Sequence, residues 1–140
     1  VVLLARNAEK AETTQREIKA AAGHDRVDIL LADLADLTQV RRAAAEFNAR
    51  YPRLDVLVNN AAYQRHRDSL DDVSIEQWET TFRTNIFGYF YMVKYAVPAM
   101  APGSTIINTG SVTGLEGKSR LLDYSSTKGA IHAVTKSLAQ

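Results

Sequence analysis

A tyrosine and a lysine stand four residues apart near the end of the sequence, at Tyr124 and Lys128. Four residues is about one helical turn, so a helix would place both side chains on one face. A phenol has a pKa of about 10, and a neighbouring ammonium lowers it because the positive charge stabilises the phenolate. A nearby hydroxyl such as Ser111 could hold a substrate oxygen while the proton moves. The pattern predicts acid–base chemistry; the alternative is a surface pair on an ordinary helix.

The composition is that of a globular domain and narrows the classes of function. The chain has 140 residues, of which 46% are hydrophobic and 24% are charged, and this length suits one domain. The net charge of +1, without a basic tract, indicates no nucleic-acid partner. The sequence has no apolar run of about 18 residues, so it predicts no transmembrane helix, and we expect a cytoplasmic protein.

Neither cysteine nor histidine offers a metal site. The absence of cysteine excludes disulfides and thiolate ligands. The three histidines, His24, His66 and His132, lack the spacing of metal ligands. The sequence therefore predicts no bound metal.

Short apolar runs alternate with segments of helical periodicity along the whole chain. Strands are predicted over residues 1–5, 27–31, 54–58 and 104–109. Helices are predicted over residues 8–22, 36–50 and 85–100, with two more opening at a capping box at Ser74 and near Tyr124. Apolar strands separated by helices predict a doubly wound parallel α/β sheet, which is Rossmann-like. Ligands of such sheets bind at the carboxyl ends of the strands.

Polar residues follow several of the predicted strands. Asn59 and Asn60 precede the small Ala61, a combination that suits the close approach of a flat ligand, although an Asn-rich turn is the alternative. Asp33 could accept a hydrogen bond from an exocyclic amine, or it could cap the next helix. Ser111 follows the fourth strand. Each position has an ordinary structural explanation, but their combination favours a ligand site.

Taken together, these residues resemble the short-chain dehydrogenase/reductase family. The matched motifs are Asp33-Leu34, Asn59-Asn60-Ala61-Ala62, Asn85, Ile106-Ile107-Asn108-Thr109-Gly110-Ser111 and Tyr124-Ser125-Ser126-Thr127-Lys128-Gly129-Ala130. The resemblance covers nearly the whole chain, and both the order of the motifs and the spacing of 13 residues from Ser111 to Tyr124 fit.

The resemblance implies hydride transfer between a nicotinamide cofactor and a small alcohol or carbonyl substrate. Tyr124 would be the general base in oxidation and the general acid in reduction. Lys128 would lower the pKa of Tyr124 and bind the nicotinamide ribose. Ser111 would orient the substrate oxygen, and Asn85 would hold a water that links Lys128 to solvent.

The resemblance also implies the residues that would bind the adenosine half of the cofactor. Asp33 would meet the adenine amine, with the backbone of Leu34 beside it. Asn59 and Ala61 would line the adenosine side. Ala62 stands where the family usually has glycine, which is a mild departure from the pattern.

Arg6 bears on the choice between NAD and NADP. In these folds an acidic residue at the end of the second strand accepts from the ribose hydroxyls of NAD, whereas arginine accommodates the 2′-phosphate of NADP. The first strand of this chain corresponds to that second strand, because the family's first strand would precede Val1. It ends at Ala5 and Arg6, without a carboxylate. We therefore predict NADP as the cofactor, and NAD as the less favoured one; a solvent-facing arginine is the alternative.

The resemblance leaves two parts of the family's pattern outside the sequence. The first strand with its glycine-rich turn would precede Val1, and a substrate-binding segment would follow the catalytic helix. We therefore expect residues 1–140 to be a partial NAD(P)-binding domain, with a gap between the strands at 1–5 and 54–58. Expressed by itself, this stretch is expected to be inactive.

Other functions stay open at this level. A non-catalytic nucleotide-binding regulatory protein could use the same fold, although it would have no physical need of a proton relay. An epimerase or dehydratase could use the same tyrosine and lysine. The resemblance further implies a homodimer or homotetramer, packed through the aromatic-rich helix and the catalytic helix.

Overall fold

The computed structural model describes all residues, 1–140, as parallel strands alternating with helices. The strands are β1 Val2–Ala5, β2 Asp28–Leu31, β3 Val56–Asn59 and β4 Thr105–Asn108. The α-helices are α1 Ala8–Ala22, α2 Leu37–Arg50, α3 Ile75–Phe82, α4 Gly88–Ala96, α5 Thr113–Glu116 and α6 Leu122–Leu138. A π-helical turn, Arg83–Phe87, joins α3 to α4, and a 3₁₀ turn, Val97–Ala99, follows α4.

Side-chain caps fix the ends of the first two helices. Asn7 accepts a hydrogen bond from the backbone N–H of Lys10 at 2.8 Å and so begins α1. Gly23 ends α1 with φ 68°, a left-handed conformation that glycine adopts without a steric penalty. Asp36 caps α2 by accepting from the N–H groups of Thr38 and Gln39. These local signals are legible in the sequence, and both helices lie where it predicts them.

The sheet is divided into two parallel pairs. β1 pairs with β2, and β3 pairs with β4, with Val2 opposite Asp28 and Val56 opposite Thr105. β1 and β3 are not hydrogen-bonded to each other, either directly or through another strand. The predicted α/β fold with its incomplete parallel sheet is therefore confirmed. Val56 and Val58 on β3 are 50% and 56% exposed, so this sheet leaves apolar surface uncovered.

Residues 75–96, between β3 and β4, form one continuous helix rather than the two helices that the sequence predicts. Backbone dihedrals are right-handed at Phe82, Arg83, Phe87 and Gly88, so the helix continues through the π turn. The wider turn shifts the register of the side chains that follow it. Asn85 lies inside this turn and is fully buried. The π turn thus carries one of the predicted site residues.

The structure differs from the sequence-based prediction in three smaller ways. β3 begins at Val56 because the N–H of Leu54 donates to the carbonyl of Ala99 instead of to a strand. The helix α6 begins at Leu122, two residues before the predicted start. The short helix α5, in the turn after β4, is absent from the sequence prediction.

A small apolar core holds the helix α4 against β3. Leu57, Val93 and Ala96 are buried together. The side chains that pack around them are Leu54, Met92, Met100 and Ile106. This core fixes the helix that follows the π turn, and hence one wall of the site described next.

Candidate active site

Tyr124 and Lys128 lie on the same face of α6, one turn apart. The Lys128 Nζ lies 5.5 Å from the centroid of the Tyr124 ring, within range of a cation–π interaction. Lys128 is 1% exposed, whereas Tyr124 is only partly buried. The spacing in the sequence therefore corresponds to a contact, with the lysine inside and the phenol nearer to solvent.

Lys128 is a buried cation without an acidic partner. Its ammonium donates a hydrogen bond to the carbonyl oxygen of Thr109 at 2.6 Å, at the end of β4. The ring of Tyr89 covers it on another side, with its centroid 5.6 Å from Nζ. Burial lowers the pKa of the Lys128 ammonium, because desolvation penalises the charged form.

Tyr89 is a second phenol beside the lysine, but its environment keeps it neutral. Tyr89 is 3% exposed. Burial, and to a smaller extent the charge of a nearby Tyr124 phenolate, raises the pKa of Tyr89 to about 12. Its hydroxyl has no hydrogen-bond partner in the protein. Of the two phenols around Lys128, only Tyr124 is open enough to exchange a proton with a bound molecule.

Ser111 is held between α5 and α6. Its Oγ lies 3.0 Å from the Thr113 Oγ1 and accepts from the Thr113 backbone N–H at 3.2 Å. Its carbonyl lies 3.1 Å from the His132 Nε2, which donates there in the tautomer that carries a proton on Nε2. A Cβ at Gly110 would lie 2.7 Å from the ring of His132, so a larger residue at position 110 would require this ring to shift.

Asn85 links the loop after β3 to α6. Its Oδ1 accepts from the backbone N–H of Tyr63 at 2.7 Å. Its Nδ2 donates to the Tyr63 carbonyl and to the Thr127 Oγ1, each at 3.0 Å. The side-chain amide therefore uses both hydrogens on protein partners, and the predicted role in holding a water stays a prediction.

The residues predicted for the adenosine side lie at the ends of β2 and β3. The Asp33 carboxylate accepts from the Ala35 backbone N–H at 2.9 Å through Oδ1. Leu34 packs against α4, where a Cβ at Gly88 would lie 2.9 Å from the Leu34 Cβ. Asn59 is buried and its Nδ2 donates to the Asn108 Oδ1 at 2.9 Å.

Arg6, which follows β1, and Ala61, which follows β3, lie at the surface. Both residues are exposed. The Arg6 guanidinium makes no hydrogen bond or ion pair within the chain. It is therefore free to bind an anion.

A set of buried polar residues escapes the sequence-based prediction. Gln77 and Thr81 on α3 bind Asp123 on α6, and Asn85 in the π turn binds Thr127. The signal was present as polar residues at every fourth position, at 77, 81 and 85 and again at 123 and 127. Such spacing places polar groups on the buried face of a helix, where hydrogen-bonding partners must exist.

Two further observations concern metals and membranes. The chain contains no cluster of three or more histidine or acidic side chains arranged to hold a metal ion. None of its helices combines the length and the apolarity that crossing a bilayer requires.

The sequence of this chain is similar to those of curated oxidoreductases. The chain is 44% identical over 130 residues to an uncharacterised oxidoreductase of Bacillus subtilis, YhdF, covering 93% of this chain and 44% of the relative. It is 41% identical over 124 residues to the glucose and ribitol dehydrogenase of Daucus carota, covering 89% of this chain and 42% of the relative. The chain thus spans less than half the length of these curated relatives.

A solved structure shares the fold. The L-sorbose reductase of Gluconobacter frateurii, in complex with NADPH and L-sorbose, superposes with a TM-score of 0.89 at 25% identity, over 99% of this chain and 52% of the reductase. The family model described as short chain dehydrogenase matches residues 1–140. With the parallel α/β fold and a model match over its whole length, the chain belongs to the short-chain dehydrogenase/reductase family.

Proposed function

We propose that the protein is an NADP(H)-dependent oxidoreductase that interconverts a small alcohol and its carbonyl compound, with Tyr124 as the general acid–base residue. The observation that carries this proposal is the contact of a partly exposed phenol with a buried ammonium, 5.5 Å from ring centroid to Nζ. Ser111 and Thr109, whose carbonyl accepts from Lys128, both lie in the segment that follows β4. The family relationship supports the same reaction class.

The residues at the strand ends fit a nicotinamide dinucleotide. The Lys128 ammonium has three hydrogens and one oxygen acceptor, so two N–H groups are left for hydroxyl oxygens of a bound ribose. Asp33 uses Oδ1 locally, so Oδ2 is left for an exocyclic amine such as that of adenine. When bound, the nicotinamide ring supplies or accepts the hydride.

The proton is handled by side chains of this chain. In reduction, the Tyr124 hydroxyl donates its proton to the carbonyl oxygen of the substrate; in oxidation, the phenolate accepts the proton of the alcohol. The Ser111 hydroxyl donates a hydrogen bond to the same oxygen and orients it. The Lys128 charge stabilises the phenolate that remains after reduction. Tyr89 cannot replace Tyr124, because burial holds the pKa of Tyr89 at about 12.

Arg6 supports NADP over NAD. Its guanidinium is exposed and lacks an internal partner, and no carboxylate stands at the end of β1 to accept from ribose hydroxyls. A planar, permanently charged fork suits a phosphate monoester. The fold relative from Gluconobacter frateurii was solved with NADPH. These observations support the proposal of a cofactor that carries a 2′-phosphate.

The substrate class is a small polyol, sugar or aldehyde. The relatives act, by their names, on glucose, ribitol and L-sorbose. Arg67 donates to Gln77, and Arg120 pairs with Asp68, so these two arginines already have partners within the chain. A panel of aldoses, ketoses and aldehydes assayed with NADPH therefore tests the proposed activity.

Tyr124→Phe in the natural protein is the decisive variant. General acid–base catalysis contributes about 10² to 10⁴-fold, so we expect kcat to fall by that factor while the Kd of NADPH stays nearly unchanged. Tyr95→Phe is the matched control, since it removes a phenol hydroxyl that accepts from the Arg41 Nε at 2.7 Å, away from the site. Near-normal turnover by the Tyr124 variant would refute the assignment.

A further inference from the structure

A polar seam joins α3 and its π turn to the helix that carries Tyr124. We define it by its five residues: Gln77, Thr81, Asn85, Asp123 and Thr127. Their exposed fractions are 6%, 0%, 0%, 1% and 0%. The chain buries seven polar or charged side chains, and five of them belong to this seam. The interior polarity of the protein is therefore concentrated where these two helices meet.

Asp123 is the centre of the seam. Its Oδ2 accepts from the Thr81 Oγ1 at 2.6 Å and from the Gln77 Nε2 at 3.0 Å. Its Oδ1 accepts from the backbone N–H of Tyr124 at 2.9 Å. No lysine or arginine pairs with it, so three hydrogen bonds and the positive end of the α6 dipole must compensate for its burial.

The same contacts explain where α6 begins. The residue before the helix is Leu121, which has no side chain able to cap it. Asp123 caps the helix from inside its first turn by accepting from the N–H of Tyr124. The first turn of α6 is thus ordered by a carboxylate whose other oxygen is bound to α3.

The orientation of the Gln77 amide is also determined. Its Oε1 accepts from the Arg67 Nε at 2.6 Å, so its Nε2 must face Asp123. A flipped amide would set two donors against each other at Arg67 and two acceptors against each other at Asp123. The network therefore has one satisfied arrangement.

We propose that the seam sets the register of α6, and that Thr81 and Asp123 are positioning residues for Tyr124. Apolar contacts between helices tolerate small slides and rotations, whereas directional hydrogen bonds between buried groups are satisfied in one register. The inference rests on the proposed function, because it treats Tyr124 as the group that must be positioned. Thr81 itself lies on α3 and touches Tyr124 only through Asp123.

Thr81→Val and Thr81→Ser in the natural protein form the test. Valine keeps the shape of threonine but removes the donor to Asp123, and serine keeps the donor. A displacement of about 1 Å can cost about 10²-fold in rate, so we expect Thr81→Val to lower kcat by about tenfold or more. We expect the KM for NADPH to change less than about twofold and Thr81→Ser to restore most of kcat.

The matched control is Thr13→Val in α1. The Thr13 Oγ1 lies 3.0 Å from the carbonyl oxygen four residues earlier, of Glu9, and the Thr81 Oγ1 lies 2.9 Å from that of Gln77, but Thr13 is far in sequence and outside the seam. Thr13→Val should leave kcat unchanged. All variants are compared at a temperature where thermal unfolding shows each to be folded.

Three results would overturn the proposal: Thr81→Val keeps kcat, raises the KM for NADPH as much as it lowers kcat, or is not rescued by serine. If Thr81→Val does not fold, Asp123→Asn is judged by the same separation of kcat and KM, since its amide would oppose one of the donors now bound to the carboxylate. If the Thr81→Val variant has a normal kcat and the separate Tyr124→Phe variant is inactive, only the positioning role of the seam is refuted. An active Tyr124→Phe variant refutes the proposed function instead.

Discussion

Gly114 sits where α5 comes closest to α6, and replacing it with alanine should separate Ser111 from Tyr124. A Cβ at this position would lie 2.5 Å from the carbonyl carbon of Lys128, 2.6 Å from the nitrogen of Gly129 and 2.9 Å from the Lys128 oxygen. All three atoms belong to the backbone of α6, so no side chain can rotate away to make room. Carbon atoms meet comfortably at about 3.5 Å, so α5 would have to retreat by roughly 1 Å.

The displacement reaches Ser111 directly. The N–H of Gly114 donates to the Ser111 carbonyl at 3.0 Å, so the two residues move together. A shift of about 1 Å between groups that act on one substrate oxygen costs about 10²-fold in rate, and overpacking costs about 1 to 3 kcal/mol of stability. We therefore expect Gly114→Ala to lower kcat by about 10²-fold.

The assay compares kcat and thermal stability of Gly114→Ala with those of Gly23→Ala. Gly23 has φ +68° and no atom within 4 Å of an added Cβ, so alanine there brings only backbone strain of about 1 to 2 kcal/mol. The control should lose stability and keep kcat. If Gly114→Ala also keeps a normal kcat, the close approach of α5 to α6 does not position Ser111.

Three further predictions concern Arg6 and Lys128. Arg6→Ala should lower kcat/KM for NADPH by about 10 to 100-fold, the contribution of a hydrogen bond to a charged group, with little change for NADH; an NAD preference that survives the substitution would show that Arg6 is a bystander. Lys128→Met should lower kcat yet raise the Tm at neutral pH, because it removes a buried cation without an acidic partner. Since the pKa of Lys128 is lower in the folded state, the unfolded state binds more protons between the folded-state pKa and about 10.5, so wild-type stability should rise with pH in that window. Thermal unfolding at increasing pH tests this, and an equal rise in the methionine variant would contradict it.

Local chemistry explains what the sequence could predict. The cap at Asn7 and the stop at Gly23 depend on neighbouring backbone groups alone, so their residue types suffice. The contact of Tyr124 with Lys128 follows from helical spacing in the same way. The parallel strands follow from apolar runs that must be covered on both faces.

Tertiary partners explain what the sequence could not predict. Ser74 and Gln77 have the form of a capping box, and Ser74 does accept from the Gln77 N–H at 3.2 Å. The Gln77 side chain, however, reaches Asp123, 46 residues away, instead of returning to the helix start. Likewise, Asn85 lies in a π turn and binds Tyr63, a partner that no local pattern reveals.

Two groups of buried side chains in this protein differ in kind. The apolar cluster of Leu57, Val93 and Ala96 ties α4 to β3 and is small. The polar seam and Lys128 lie toward α6, where each hydrogen-bonded group has a fixed direction. Burial of polar groups adds little net stability, because desolvation offsets most of each hydrogen bond, but it penalises every misaligned arrangement. A fold that places its interior polarity beside Tyr124 therefore gives up stability at the point where the proposed proton transfer needs one geometry.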